Sequence, residues 1–251
     1  KIKYKLWKTI QYYNFTNTSC GVKGRFHNPD QFDSILLRQL MQYVTTLKPF
    51  AWLRWADGEM INLKQMHDYH LYWKTVPNLY VAVGMWWMCE EEYRTRWNAF
   101  FDENYTYIDY FYLPMGDPCD TGMSNQIKRG VHGFLVNAFK ARRYIVMIGS
   151  LMLKKLPFVN NYLSEHNSDI NILHFIQQQP AQSLILFSKG THAKRIITMA
   201  FMNNTKRHTF VDVGRALNPY VGKKEFGRPI SVCCDNTYNK SRWFMHGVCM
   251  T

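Results

Sequence analysis

The chain has 251 residues, 47% of them hydrophobic and 16% aromatic. That is enough apolar material for one sizeable core, and it excludes a chain too polar to fold. Lys and Arg exceed Asp and Glu by 13, which favours anionic partners such as polyanions, nucleotides or an acidic surface. No run approaches the roughly 18 apolar residues needed to span a bilayer, so no transmembrane segment is expected, and no signal-peptide pattern opens the sequence. The reading at this level is one domain over 1–251.

The basic residues are spread along the chain in short clusters such as Lys140-Ala141-Arg142-Arg143. A solvated basic face accounts for that spread, and no dedicated nucleic-acid partner is expected. Cysteines 20, 89, 119, 233, 234 and 249 show no C-x-x-C spacing, which argues against a zinc ribbon or a thioredoxin-like motif. Glycosylation sequons start at Asn14, Asn17, Asn104, Asn203 and Asn239. In an asparagine-rich chain these leave the compartment open between the cytoplasm and the secretory or Golgi lumen.

In chain order, Asn28-Pro29-Asp30 reads as a helix start with proline at the first helical position. Phe32, Ile35, Leu36, Leu40, Tyr43, Val44 and Leu47 then recur at helical spacing until Lys48-Pro49. A strand at 50–55 follows. The alternation continues with strand Leu79–Val83, helix Trp86–Phe101, strand Thr106–Tyr112, helix Asn125–Lys140 and strand Tyr144–Ile148. Segment 151–165 reads as helix interrupted by Pro157. Strands Asn171–Phe175 and Ser183–Phe187, helix Thr191–Met202 and strand His208–Val213 complete the series. This pattern predicts a Rossmann-like α/β fold, a mostly parallel sheet with helices on both faces. The core falls at about 28–215, and 216–251, rich in Gly, Asn and Cys, reads as an irregular tail or lid.

In such a sheet the loops at the strand carboxyl ends converge on one crevice. Here those loops are Asp57-Gly58-Glu59, Gly84, Gly149-Ser150, Ser188-Lys189-Gly190-Thr191-His192-Ala193-Lys194 and Asp212-Val213-Gly214-Arg215. Two carboxylates around a glycine suit a hard divalent cation. A glycine leading into a helix N-terminus suits a diphosphate. Each feature also has a plainer reading. Asp57-Gly58-Glu59 can be a turn or helix cap, Thr191 a cap and Asp212 a turn former at a strand end. His67 and His70 read as exposed histidines, and Trp86, Trp87 and the run Tyr105–Tyr112 as core and sheet.

The order of these segments resembles the GT-D type glycosyltransferases, whose pattern is R-x-G-D-G-E, a later G-P-T-A-K and a final D-I-G. The matching residues are Arg54-Trp55-Ala56-Asp57-Gly58-Glu59, Val81-Ala82-Val83-Gly84, Arg143 to Gly149, Leu184 to Lys194 and Phe210-Val211-Asp212-Val213-Gly214. The resemblance covers about 50–215. It departs at Ala56, where the family has glycine, and at the loop before Lys194, where the proline is replaced and His192 is inserted. It implies a nucleoside-diphosphate sugar donor, with UDP favoured, a glycan acceptor and Mn²⁺ or Mg²⁺ at the D-x-E. Asp57 and Glu59 then carry metal binding and catalysis. Arg54, Gly84, Gly190, Thr191, His192, Lys194, Asp212 and Arg215 form the donor site.

Transfer from a diphosphate needs charge neutralised on the leaving group, a task for the metal with Lys194, Arg54 or Arg215. An inverting reaction also needs a base at the acceptor hydroxyl. Glu59 is assigned to metal and Asp57 to base or second metal contact, with Asp109, Asp117 and Asp120 as alternative bases. Two other readings stand beside this one: a basic binding module for nucleic acid or polyanionic glycan, and another Rossmann-like transferase such as a methyltransferase. The last is disfavoured because no G-x-G loop follows the first strand.

Overall fold

The computed structural model describes residues 25–26, 36–55, 73, 75–83, 95, 106–109, 137–138, 140–214, 217 and 221. The strands are β1 (Arg25–Phe26), β2 (Ala51–Trp55), β3 (Leu79–Val83), β4 (Thr106–Asp109), β5 (Ile145–Gly149), β6 (Asn161–Ser164), β7 (Leu184–Phe187) and β8 (Thr209–Asp212). They form one eight-stranded sheet in the order β1-β4-β3-β2-β8-β7-β5-β6. Every pairing in it is parallel. The helices among the described residues include α1 (Leu36–Thr45), α2 (Asp169–Gln178) and α3 (His192–Met202), and a short 3-10 helix spans Leu151–Lys155. The expected Rossmann-like α/β architecture is therefore the observed one.

Right-handed crossovers decide which face each connection covers. β2 to β3, β6 to β7 and β7 to β8 all step toward β1, so their connecting segments share a face. Their contacts agree. Trp73 Nε1 donates to Thr198 Oγ1 of α3 at 2.8 Å, and Arg195 of α3 pairs with Asp169 of α2. Ile172, Ile176, Ala193, Ile196 and Ile197 pack with Ala51, Leu53, Val146, Ile148, Ile185, Phe187 and Phe210 in one buried cluster. The connections stepping the other way meet on the opposite face, where Thr45 Oγ1 donates to Asn137 Oδ1 at 2.9 Å. Both faces of the central strands are thus covered, and β5, β7 and β8 are buried along their whole length.

Several expected elements need correction. Asn171–Phe175 is not a strand but the middle of α2: the Ser168 side chain accepts from Asn171 N, and Ile172 and Ile176 are buried one turn apart. A capped helix with an i, i+4 apolar pair outweighs the strand character of that run. Segment 151–165 is not an interrupted helix. It is the 3-10 turn followed by edge strand β6, whose residues are all half-buried. Strand and helix ends elsewhere shift by a residue or two. The expected helix Trp86–Phe101 apart from residue 95, all of 28–35 and 125–136, and the tail from 222 onward lie outside the described residues.

The two edges of the sheet use different turn chemistry. Leu47, Asn78, Arg142, Gln182 and Arg207 hold φ between 50° and 62°, each shortly before a strand. At the carboxyl edge the positive-φ residues among the described ones are Gly190 and Gly214. Glycine enters left-handed backbone without a Cβ penalty, and at Gly214 the space a side chain would need is already taken.

Candidate active site at the carboxyl edge

Because the strands are parallel, Trp55, Val83, Asp109, Gly149, Ser164, Phe187 and Asp212 all end at one edge. β5 leads outward to β6, whereas its neighbour β7 leads inward to β8. The carboxyl ends of β5 and β7 therefore border a topological switch point, where open α/β sheets hold ligands. Gly149 and Ser188 meet there closely enough that a Cβ on Gly149 would lie 3.1 Å from Ser188 Cβ. Ser150 Oγ is buried beside them with no hydrogen-bond partner among the described residues. The Gly149 carbonyl accepts from Tyr162 Oη at 2.9 Å, which ties the end of β5 to edge strand β6.

The loop from β7 into α3 is held from below. Lys194, in the first turn of α3, is fully buried, and its Nζ lies 2.8 Å from Asp212 Oδ2, also fully buried. The same Nζ donates to the Gly190 carbonyl at 3.1 Å. Asp212 Oδ1 accepts from Gly214 N at 3.0 Å, a side-chain turn at the end of β8. The contact to Lys194 is short but not aligned as a hydrogen bond, so its attraction is coulombic. Asp212 is therefore both the strand-end turn former of the plainer reading and the counter-ion of a buried lysine. The pairing across α3 and β8 was not visible in the sequence, because nothing local to either residue marks it.

Gly214 has φ +48°, and a Cβ there would fall on the Arg54 guanidinium carbon and both terminal nitrogens. Arg54, from β2, thus lies against the backbone that leaves β8. The structure brings Arg54, Gly190, Lys194 and Asp212 together at the carboxyl edge of adjacent strands β2, β8 and β7. Thr191 and His192 occupy the start of α3. Thr191 sits at the N-cap position, but its backbone is already helical and its side chain makes no capping bond. Asp57, Glu59, Gly84 and Arg215 lie outside the described residues.

A further side chain belongs to this edge. Lys189 Nζ reaches the Glu165 carbonyl and donates to the Asn167 carbonyl at 3.2 Å. Burial lowers its pKa and the nearby Glu165 charge opposes that shift. Lys189 ties the loops after β6 and β7 together, so its ammonium is turned toward backbone rather than into the crevice. Its place in the loop was legible, but its partner was not.

No family model and no curated protein matches the chain. One similar solved structure is described as "The highly conserved domain of unknown function 1792 has a distinct glycosyltransferase fold". It shares 12% identity, covers 82% of this chain and 82% of its own, and superposes with a TM-score of 0.47. A likeness at that distance carries no argument about chemistry.

Proposed function

We propose that the chain is a metal-dependent glycosyltransferase that moves a sugar from a nucleoside diphosphate, UDP being favoured, to a glycan hydroxyl. The observation that carries this reading is the buried Lys194–Asp212 pair, which fixes the glycine loop at the start of α3 beside the carboxyl end of β2. The five segments that match the glycosyltransferase pattern in sequence come from the neighbouring strands β3, β2, β8, β7 and β5. β2 and β7 flank β8, so about 10 Å separates them.

In this reading the donor diphosphate lies over the Ser188–Thr191 loop, with the first N–H groups of α3 facing the anion. Lys194 is a positioning residue: its charge is spent on Asp212 and on the Gly190 carbonyl, and it acts on the diphosphate through the loop it holds. The buried Ser150 hydroxyl, without a protein partner among the described residues, supports a polar ligand at the β5–β7 switch point.

Asp212 is committed to Lys194 and Gly214; following the D-x-E resemblance, Glu59 is the metal ligand and Asp57 the second metal contact or the base, hard oxygen donors suited to Mn²⁺ or Mg²⁺. A divalent ion there would offset the charge that develops on the departing diphosphate. If configuration inverts, Asp57 takes the acceptor proton as the new glycosidic bond forms and the bond to diphosphate breaks. Arg54 lies against Gly214, just past the end of neighbouring β8, where its charge adds to the leaving-group side.

The test is calorimetric titration of UDP and a panel of nucleotide sugars with and without Mn²⁺, on the native chain and on Asp57→Ala/Glu59→Ala. Metal-dependent nucleotide binding that the double variant loses is the expected result, and the preferred sugar names the donor. Absence of nucleotide binding under every condition would sink the transferase reading.

A further inference from the structure

The opposite edge of the sheet carries a cavity that the transferase reading does not use. It has a volume of about 330 Å³ and lies between the carboxyl-terminal turns of α2 and α3, just before β8. Leu173, Ile176, Met199 and Ala200 give it apolar walls, and Lys206 and His208 are its basic lining residues. His208 is only 3% exposed, and the Ile176 carbonyl at the cavity wall reaches its ring, yet neither ring nitrogen makes an aligned hydrogen bond among the described residues. Its backbone, by contrast, is fixed: His208 N donates to Asn204 Oδ1 and its carbonyl accepts from Asn204 Nδ2, both at 2.7 Å. The ring sits edge-on to Phe210 at 6.0 Å, so packing holds a ring that lines the cavity.

The surroundings indicate the sign of that occupant. Lys206 and Arg143 both place positive charge near the ring, and none of the described acidic residues lines the cavity. Burial of a polar ring without hydrogen bonds is costly, and a ligand that brings an acceptor and a negative charge removes that cost. The volume is at the small end of the range for small-molecule sites.

We propose that this cavity binds a small monocarboxylate with an apolar body, its carboxylate on His208 and Lys206 and its hydrocarbon part against Leu173, Ile176, Met199 and Ala200. The site is at the amino edge of the strands, remote in topology from the diphosphate loop, and stands or falls independently of the transferase reading.

The test is a titration of the full chain, labelled with ¹⁵N in histidine, with octanoate, benzoate, acetate and the alcohols octanol and benzyl alcohol. His208→Gln assigns the ring signals. Saturable movement of the His208 nitrogens with octanoate or benzoate is expected, with acetate and the alcohols at least about tenfold weaker. Ala200→Leu, which fills the cavity, and Lys206→Gln, which removes the half-buried ammonium that also donates to the Gln179 carbonyl, should each weaken acid binding by about tenfold. Ring nitrogens that stay unmoved by every acid would overturn the proposal, because water or another part of the chain then already serves the ring. Alcohols that bind as well as acids, or acid binding unchanged in both variants, would overturn it equally. The native-chain titration decides the matter even if Ala200→Leu does not fold.

Discussion

Lys194 Nζ and Asp212 Oδ2 stand 2.8 Å apart, each with its side chain fully excluded from solvent. A lone charge at that depth is far more costly than a pair, so the two residues are energetically one unit. Lys194→Met and Asp212→Asn should each cost about 3–5 kcal/mol in denaturant unfolding, because each leaves the other partner without its counterpart. The double variant holds no buried charge at this site and retains a side-chain oxygen for Gly214 N. It should be markedly more stable than the sum of the single changes allows, and strict additivity would show that the pair is not coupled.

The two carboxyl-edge glycines should respond differently to a methyl group. Gly190 has φ +61° with open space around a new Cβ, so Gly190→Ala should cost only backbone strain, about 1 kcal/mol. Gly214→Ala adds a collision with the Arg54 guanidinium to a similar strain. It should cost clearly more, and truncating Arg54 to Ala in the same chain should recover the excess. Unfolding midpoints of the four proteins check this, and equal losses at the two glycines would refute the close approach of Arg54.

His208 should make the protein acid-sensitive. Burial, and then the charges of Lys206 and Arg143, lower its pKa from 6.5 to about 4, while the Ile176 carbonyl pulls weakly the other way. The unfolded chain therefore binds the proton first. Stability from this group is complete above pH 6.5 and is lost as pH falls toward 4, by up to about 3 kcal/mol. His208→Gln should flatten that part of the stability profile, measured by denaturant unfolding between pH 7 and 4.

Arg143 clamps the amino ends of three strands. Its Nε donates to the Gln182 carbonyl at 2.8 Å, Nη1 to Thr209 Oγ1 at 2.9 Å and Nη2 to the Ser183 carbonyl at 3.0 Å. Burial lowers its pKa to about 10, which still leaves it charged near neutrality. Arg143→Met strands two buried acceptors and one part-buried one, and should cost about 2–4 kcal/mol. Arg143→Lys keeps the charge but not the planar fork, so it should restore less than half of the loss. Full rescue by lysine would mean that charge rather than geometry matters here.

How far the sequence could be read varies with how local the deciding interaction is. Strand Leu79–Val83 was legible to the residue, and β7 and α3 nearly so, because each is a continuous apolar run or a clear helical period bounded by turn residues. The run Asn171–Phe175 has strand propensity by itself, and the cap at Ser168 with the Ile172–Ile176 spacing is what makes it helix. β6 was missed because four half-buried edge residues carry no alternation to detect.

The same distinction separates two kinds of fact about the candidate site. Order, spacing and residue type place glycines and charged groups at strand ends, and a parallel sheet then collects those ends at one edge whatever the details of packing. The direction in which each charged side chain points is not encoded that way. Lys194 turns inward because Asp212, on a strand adjacent to its own βα unit, offers a buried counter-charge. Lys189, five residues earlier in the loop, turns aside because the carbonyls of Glu165 and Asn167 reach it from the loop after β6. Those partners meet only when the sheet is assembled, since the free energy of burying an ion depends on neighbours that the chain brings together from afar.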